Sequence, residues 1–574
     1  MMEMCLIYLA FKKGSDKMNF KPLPIGVDNF QRIIDDGYYY VDKTLFIKEL
    51  LENKASVNLF TRPRRFGKTL NMSMLQYFFE KRYKDNTYLF NGLKIMEQGE
   101  NYTKHMGQYP VINLSLKSAK QGDFELAYAC LKEEIVYEFR RHEYILESEK
   151  LKNEKEKYLK IVRADGDRKL YATSLKFLSN CLEKYHDKKV IILIDEYDVP
   201  LENAYFRGFY DKMIDFIRSL FESSLKTNDS LEFAVITGCL RISKESIFTG
   251  LNNLEIISIL NEYYSEHFGF SCREVTEMLD YFGLSIKKEL VDQWYNGYVF
   301  GDSNIYNPWS VVRIVKDLYK DKNAFQVWYW ANTSSNSIVR SLIEKADLST
   351  RQEIEALIAG ESIEKIIHED ITYDEVYKNM DNLWNFMFFT GYLKKVSERM
   401  NSNDDIILGL MIPNREVKYI FRTKILDWFK EKIKVKDLSV MYNAIIDGDS
   451  EIFQRELRKL LRESISFNDA YENFYHGFVV GVLMNMSDYI VKSNREGGSG
   501  RSDVFIKSPS VFEPAVIIEF KVAENVKELD EKCDEALKQI EDKEYNLELE
   551  TEGYENITKY GIAFYRKDCL IKKG

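Results

Sequence analysis

Five short segments made almost entirely of apolar and β-branched residues recur through the first half of the chain, and helical patterns separate most of them. They span residues 55–60, 109–116, 190–194, 231–237 and 254–260. The third reads VIILI and has no polar side chain, so both of its faces must be covered. Such strands are typical of parallel sheets flanked by helices. The pattern therefore predicts an α/β domain with a doubly wound parallel sheet.

Composition narrows the class of protein further. Hydrophobic residues make up 45% of the chain and charged residues 30%, a composition that excludes a disordered or fibrous protein. The length of 574 residues predicts several domains. The net charge of −10 excludes a uniformly basic nucleic-acid binder. The seven cysteines include no C-x-x-C pair, which favours a protein of the reducing cytoplasm over a zinc or redox site. No apolar run reaches the roughly 18 residues of a membrane span, so no membrane association is expected.

A phosphate-binding loop is indicated directly after the first strand. Residues 62–69 read RPRRFGKT and precede an amphipathic helix. In a P-loop, backbone N–H groups and the positive end of the helix dipole surround the phosphates of a nucleotide. Arg62 and Gly67 would then belong to the loop, Lys68 would reach the β- and γ-phosphates of ATP, and Thr69 would bind Mg²⁺. Arg62 replaces the first glycine of the G-x-x-x-x-G-K-[ST] pattern, so the loop entry must be shaped differently.

An acidic element on another strand supports the nucleotide site. Taken alone, GKT at a helix start is a tripeptide that also occurs by chance. The apolar run VIILI, however, ends in Asp195 and Glu196, and two acids there are costly unless a cation or a solvent-filled cleft receives them. Asp195 is predicted to hold Mg²⁺ and Glu196 to polarise the attacking water.

The fourth strand runs into the sequence TGCLRI, which predicts two more residues at the carboxyl edge of the sheet. Thr237 could sense the γ-phosphate, and Arg241 could neutralise charge in the transition state. The alternative is a strand-end cap followed by an arginine in a solvated loop.

The rest of the chain is predicted to hold two further regions. Beyond residue 265 the pattern is mainly helical, with YNGYVFG and NPW as turns, and YLKKVSE and IILGLMI read as a hairpin between helices. That order favours a winged-helix-like unit, with a packed helical lid as the alternative. From about residue 467 a helix, two strands, a helix and a strand predict a small αββαβ domain.

The two central strands of this last domain carry a candidate metal site. Asp503 begins one strand, and Glu519 and Lys521 share one face of the next, because side chains two apart on a strand point the same way. Antiparallel pairing would bring Asp503 beside Glu519. Two carboxylates and a main-chain carbonyl, that of Phe520, suit Mg²⁺. Lys521 would orient or activate water and offset the charge of a cleaved phosphodiester.

Three other residues could assist this site. Glu472 and His476 lie four apart on the preceding helix and hence on one face, and Gln539 follows on the next helix. His476 also fits a structural histidine with satisfied hydrogen bonds. The alternative for Glu519 and Lys521 is a surface ion pair, which the strongly apolar strand AVIIEFKV argues against.

At these residues the chain resembles a bacterial family, the AAA-ATPase-like proteins that carry a C-terminal PD-(D/E)XK nuclease-superfamily domain. The resemblance covers nearly all of residues 18–567. It rests on the stretches LPIGVDNF, YYYVDKT, FTRPRRFGKT, LIDEYDVP, TGCLRISKESIFTGLNN, WYNGYVFG, IYNPWS, IPNREV, FYHGF and YGIAFYRK. The family shares the arginine at the loop start, so Arg62 looks like a family feature.

The resemblance implies ATP binding, ATP hydrolysis and a nuclease fold of restriction-endonuclease type in which Asp503, Glu519 and Lys521 match the D…E-x-K core. The sequence pattern divides the chain into an N-terminal extension at residues 1–17, a P-loop domain at 18–265, the helical and winged region at 266–440 and the nuclease-like domain at 441–574. From residue 466 onward, however, 14 Lys and Arg stand against 21 Asp and Glu. Tight nonspecific DNA binding normally needs clustered positive charge.

Two functions follow from these features as competing hypotheses. The first is a nuclease regulated by ATP, in which nucleotide state moves the middle region and gates Mg²⁺-dependent cleavage of DNA or RNA. The second is a nucleotide-switched interaction protein whose nuclease-like domain binds a nucleic acid or a protein without cutting. A weaker third is an ATPase with a structural remnant, against which the intact Asp503, Glu519 and Lys521 argue.

Overall fold

The N-terminal part of the protein is built on one parallel sheet. A computed structural model describes residues 20–81, 85–240, 247–248, 252–325, 327–330, 337–369, 380–434, 437–463, 472–484, 486, 488–493 and 503–574. The extension proposed for residues 1–17 and Arg241 therefore lie outside the described residues.

All five predicted strands belong to this sheet, which confirms the α/β class. They run parallel in the order β2-β3-β4-β1-β5, and β3 is buried along its whole length. Their bounds are Val57–Thr61 (β1), Val111–Ser115 (β2), Val190–Asp195 (β3), Leu231–Gly238 (β4) and Leu254–Ile257 (β5).

Helices of the N-terminal part surround this sheet. Because both sheet faces are apolar, each needs a helical cover. The helices are Phe30–Asp35, Leu45–Asn53, Lys68–Phe79, Glu100–Thr103, Phe124–Arg141, Lys155–Val162, Arg168–Ala172, Ser174–His186, Val199–Arg207 and Tyr210–Phe221.

The middle region is mainly helical, with two small antiparallel sheets. The predicted hairpin is present as β10 and β11, between the expected helices, and a third strand that the sequence pattern did not predict, β9, pairs with β11. YNGYVFG was predicted as a turn but contributes a strand, β7, to a sheet of order β6-β8-β7. The strands are Phe270–Ser271 (β6), Tyr298–Phe300 (β7), Ser303–Tyr306 (β8), Ile363–Ile366 (β9), Lys394–Met400 (β10) and Ile406–Met411 (β11). The helices are Cys272–Tyr281, Lys288–Tyr295, Pro308–Lys320, Ser337–Lys345, Leu348–Ala359, Met380–Phe389 and Arg415–Lys434.

The C-terminal domain contains a mixed sheet of five strands in the order β12-β13-β14-β15-β16. The expected helix-strand-strand-helix-strand order is present, and the short edge strands β12 and β16 are additional. Edge strands are half exposed, so their apolar pattern is weak. The strands are Ile490–Ser493 (β12), Val504–Lys507 (β13), Ala515–Val522 (β14), Ile557–Tyr565 (β15) and Asp568–Lys573 (β16), and the helices are Glu472–Leu483, Leu529–Asp542 and Asn546–Thr551.

Two further helices, Ser439–Asp447 and Ser450–Glu463, pack against the C-terminal sheet. The Tyr560 hydroxyl donates to the Ile445 carbonyl at 3.0 Å, and Arg458 donates to the Cys569 carbonyl at 2.9 Å. The boundary proposed at residue 441 thus falls inside a helix that contacts the C-terminal domain. Buried apolar side chains of all three regions form one continuous cluster.

Candidate functional site

The P-loop sequence forms a tight turn between β1 and a helix. The helix Lys68–Phe79 begins directly after Gly67, whose φ of 83° lies in the left-handed region that glycine adopts without strain. Lys68 is only 7% exposed. Its ammonium donates to the carbonyls of Arg62 at 2.8 Å and Pro63 at 2.9 Å, so it sits at the centre of the loop.

Arg62 lies inside the protein, beneath the loop entry. Its guanidinium is fully buried, donates to the carbonyls of Thr61 and Ile257 at 2.9 Å, and lies over the rings of Phe268 and Phe300. Burial lowers its pKa to about 9. This position indicates that Arg62 supports the loop from within rather than contacting a phosphate directly.

Asp195 links the loop to the neighbouring strands. Thr69 donates its hydroxyl to one oxygen of Asp195 at 2.7 Å, and Thr237 donates to the other. Asp195 is 4% exposed. The strand order explains why Asp195 and Thr237 are in contact. Their strands, β3 and β4, are neighbours, and both residues lie at the carboxyl edge of the sheet, which the P-loop also borders. The result is a cluster of three hard oxygen donors, the kind that Mg²⁺ prefers.

Glu196 follows Asp195 but turns away from the strand direction. Its φ of 53° is left-handed, which is unusual for a residue with a β-carbon. Burial and the charge of Asp195 raise the pKa of Glu196, while Lys68 and Lys117 oppose that rise. Glu196 lines the cleft beside Lys68. A carboxylate with a raised pKa at the edge of a cleft suits proton transfer.

A cleft of about 560 Å³ opens in front of the P-loop. This volume lies within the range of small-molecule sites. The loop and Glu196 form one end, and residues 24–28 and 39–41 of the N-terminal segment form another part of the lining. Met278 and Trp309 of the middle region also line it.

Asp198 was not among the residues predicted for this site. It is 3% exposed, lines the cleft, and one carboxylate oxygen accepts the backbone N–H of Cys239 at 2.7 Å and of Leu240 at 3.3 Å. It therefore holds the loop that follows β4. The sequence shows Asp198 only as a third acidic residue shortly after Asp195 and Glu196. Its role could not be predicted, because its hydrogen-bond partners lie about forty residues away along the chain.

Trp309 was predicted only as part of a turn, NPW. In the structure Asn307 caps the helix Pro308–Lys320 and places Trp309 at the cleft. The guanidinium of Arg65 from the P-loop lies 4.4 Å from the Trp309 ring centroid, and that of Arg313 lies 4.6 Å away. Cation–π contacts of this kind tie the P-loop to the middle region.

The second candidate site lies where β13 meets β14. Asp503 and Glu519 come together as predicted, because the antiparallel register pairs Val504 with Ile518. Asp503 accepts the backbone N–H of Phe520 at 2.9 Å, and its own N–H donates to Glu519 at 3.2 Å. The Lys521 ammonium lies 3.6 Å from Glu519.

Two of the assisting residues also reach this second site. Gln539 donates its side-chain amide to Glu519. One ring nitrogen of His476 lies 3.2 Å from the Asp503 carbonyl and 3.1 Å from the Ser493 hydroxyl, so His476 has the partners of a structural histidine. Nothing is described for the side chain of Glu472, so its predicted role stays a prediction.

The environment of this second site changes the pKa of Glu519 strongly. Glu519 is 2% exposed, and burial together with the charge of Asp503 raises its pKa to about 7. Lys521 opposes the rise. A buried carboxylate beside a second, partly buried one favours either a shared proton or a cation. Within the described residues no cluster of three His, Cys, Asp or Glu side chains has metal-binding geometry, so a metal here would need non-side-chain ligands, such as the predicted Phe520 carbonyl or water.

Among the described residues, no helix is both long enough and apolar enough to span a bilayer.

Comparison with known proteins finds family matches over the two regions that contain these candidate sites. Residues 24–248 match the family model described as predicted AAA-ATPase, and residues 470–574 match that of the PD-(D/E)XK nuclease superfamily. A similar protein is the "Uncharacterized protein in vnfD 5'region" of Azotobacter chroococcum mcd 1, which is 26% identical over 565 residues, 96% of this chain and 97% of that protein. The chain therefore carries an AAA-ATPase-like domain followed by a C-terminal domain of the PD-(D/E)XK nuclease superfamily.

Proposed function

We propose that this protein binds and hydrolyses ATP and that its C-terminal domain is a Mg²⁺-dependent nuclease whose action depends on the nucleotide. The observation that carries the ATP half is that Lys68, Thr69 and Glu196 line a single cleft, with the Asp195 carboxylate directly behind them, accepting the Thr69 hydroxyl. A lysine, a hydroxyl and two carboxylates in this arrangement fit a bound triphosphate.

The residues at and directly behind the P-loop end of the cleft have distinct roles in this proposal. Lys68 exchanges its loop carbonyls for the β- and γ-phosphate oxygens, because an anion is a stronger partner for an ammonium than a neutral carbonyl. Thr69 and Asp195 hold the Mg²⁺, and Thr237 orients Asp195. Bound Mg²⁺ would neutralise phosphate charge. Glu196 accepts a proton from the attacking water.

The nuclease half rests on the contacts of Glu519. Asp503 and Glu519 supply the carboxylate ligands of a Mg²⁺, and the donor set of hard oxygens fits that ion. Bound Mg²⁺ would act as a Lewis acid on the scissile phosphate. Lys521 lies beside Glu519, where its ammonium orients water and offsets charge. Gln539 fixes the Glu519 carboxylate through its amide.

A chain of contacts supports communication between the two sites. Trp309 at the cleft is followed by Ser310, whose hydroxyl donates to the buried Glu416 at 2.8 Å. Glu416 lies in the first turn of the helix Arg415–Lys434, which contacts the helix Glu472–Leu483. The latter helix carries His476, the neighbour of Asp503. A change of nucleotide state at Trp309 would thus reach the nuclease site through packed helices.

One observation favours the alternative of a nucleotide-switched protein that binds without cutting. The region from residue 466 to the end carries 14 basic against 21 acidic residues. Acidic surfaces repel phosphodiester backbones. Under this alternative, ATP changes protease sensitivity or oligomeric state while no nucleic acid is cleaved.

The decisive experiment is a matrix of Mg²⁺ and ATP over single- and double-stranded DNA and RNA. We expect wild type to hydrolyse ATP and to cut at least one nucleic acid, Lys68→Ala to lose ATP turnover, and Glu519→Ala to lose cleavage. Lys189→Ala and Glu524→Ala, which change exposed residues, serve as matched controls. Cleavage that survives unchanged in Asp503→Ala would remove the nuclease assignment, and ATP binding that survives in Lys68→Ala would remove the P-loop assignment.

A further inference from the structure

The loop that follows β2 forms a wall of the nucleotide cleft and is held rigidly. The Leu116 N–H donates to the Asp195 carbonyl at 3.0 Å. Leu116 and Ala119 are fully buried, and the Gln121 carbonyl accepts the Asn203 side-chain amide at 2.6 Å. The backbone of this loop is therefore fixed against β3 and the helix that follows β3.

Two lysines extend from this fixed backbone into the cleft. Lys117 and Lys120 are both exposed and both line the cleft. Among the described residues, neither ammonium has a hydrogen-bond or ion-pair partner. The other lysines and arginines that line the cleft already have partners. Arg64 pairs with Glu202 at 2.5 Å, and Arg65 lies over Trp309. Lys43 pairs with Glu274 at 2.6 Å, and Lys68 donates to carbonyls of the P-loop.

Lys117 is the better placed of the two for the reacting end of a triphosphate. Ser115 pairs with Asp195 in the parallel register of β2 and β3, so Lys117 follows two residues beyond the strand that borders the acidic tip. Lys117 and Glu196 both line the cleft, so their side chains face the same volume.

We propose that Lys117 is a further catalytic residue, whose ammonium contacts the γ-phosphate of ATP and stabilises the negative charge of the transition state. This inference rests on the ATPase activity proposed above. Lys117, in the loop after β2, would thus neutralise charge in the transition state, the role that the sequence suggested for Arg241. A cation in cis removes the need for an arginine supplied by a partner.

The reaction that Lys117 would assist is the hydrolysis of the terminal phosphoanhydride. The water oxygen forms a bond to the γ-phosphorus while the bond from that phosphorus to the β–γ bridging oxygen breaks. The bridging oxygen keeps the electron pair and leaves with ADP, and one water proton passes to Glu196. Lys117 transfers no proton and acts only through its charge, which has most effect on the phosphoryl group in transit.

Steady-state kinetics of Lys117→Met, Lys117→Arg and Lys120→Met test this assignment in the full-length protein. We expect Lys117→Met to lower kcat by about 100-fold with a small change in KM, because the contact strengthens in the transition state. Lys117→Arg should recover part of the rate. Lys152→Met, which changes an exposed lysine away from the cleft, is the matched control.

Binding measurements give a second readout that needs no turnover. ADP lacks the γ-phosphate, so Lys117→Met should leave ADP affinity unchanged. The same variant should weaken the complex of ADP with aluminium fluoride, which mimics the phosphoryl group in transit. A kcat for Lys117→Met within twofold of wild type, or a larger loss in Lys120→Met, would overturn the assignment.

The two proposals fail in different ways. If wild type neither binds nor hydrolyses ATP, the proposed function is wrong. If wild type is active and Lys68→Ala is not, but Lys117→Met keeps full turnover, only the role of Lys117 is wrong.

Discussion

Replacing Glu519 by glutamine tests the electrostatics of the nuclease site through stability rather than activity. In the folded protein the pKa of Glu519 rises from 4.5 to about 7, first because of burial and then because of Asp503. Each tenfold change in proton affinity corresponds to about 1.4 kcal/mol. Ionising Glu519 in the folded state therefore costs about 3 kcal/mol more than in the unfolded chain.

The direction of the pH dependence follows from this raised pKa. Between pH 4.5 and about pH 7 the folded protein binds more protons than the unfolded chain at this residue, so stability falls as pH rises through that window. At pH 8 without divalent metal the full cost is present. Glu519→Gln removes the charge and with it this cost.

The substitution also removes a hydrogen-bond acceptor. Glu519 accepts from both the Gln539 amide and the Asp503 N–H, and a glutamine has one oxygen to offer in place of two. Losing one of these bonds costs about 1 kcal/mol. The net expectation is that Glu519→Gln stabilises β13 and β14 at pH 8 by about 2 kcal/mol, or about 30-fold in an opening equilibrium.

Hydrogen exchange followed by mass spectrometry measures this local opening directly, which matters because a protein of several domains has no single free energy of unfolding. Peptides covering Val504–Lys507 and Ala515–Val522 are compared between wild type and variant in EDTA at pH 5 and pH 8. The variant should be better protected at pH 8 and not at pH 5, and Mg²⁺ should increase protection in wild type more than in the variant. Equal or weaker protection of Glu519→Gln at pH 8 in EDTA would refute the reasoning.

Three other substitutions test how the cleft is held. Asp198→Ala should lower the melting temperature and weaken ATP binding, because it leaves two buried N–H groups of the loop after β4 without an acceptor, at about 1–3 kcal/mol each; unchanged ATP affinity would contradict this. Gly391→Ala should destabilise the protein by about 1–2 kcal/mol, because Gly391 has a φ of 89° and a β-carbon there would lie 3.1 Å from Pro63 of the P-loop. A thermal shift in which Gly391→Ala matches wild type would exclude that contact. Lys43→Met should cost about 3–5 kcal/mol by leaving the carboxylate of Glu274 buried without its partner at 2.6 Å, and the added change Glu274→Gln should restore part of the melting temperature.

The sequence alone predicted which residues meet at each candidate site, because their spacing along the chain is local. Lys68 and Thr69 follow an apolar strand and start a helix, and Asp195 ends another apolar strand, so the common direction of parallel strands was enough to place them at one edge of the sheet. In the same way, the alternation of AVIIEFKV put Glu519 and Lys521 on one face, and a single turn set Asp503 beside them. Such relations depend on backbone periods that a sequence displays directly.

The position of the Arg62 side chain could not be predicted from the residues around it in the sequence. The motif aligned it with a phosphate-binding position, yet its guanidinium lies under the loop, bonded to the Ile257 carbonyl and covered by Phe268 and Phe300. Those three residues come from β5 and from segments far along the chain. No pattern near Arg62 could reveal them, because packing across the sheet decides which way a long side chain turns.

What the sequence determined by itself was the class of the fold and the residue types at each site, since these follow from apolar periodicity and from motifs shorter than ten residues. The tertiary structure decided which distant groups complete the sites. Asp198 caps amides about forty residues away, Trp309 brings the middle region to the cleft, and the loop carrying Lys117 lies beside Glu196 only because β2 is the neighbour of β3. Contacts between residues far apart in the chain depend on how all the helices and strands pack together, and no single stretch of sequence shows that packing.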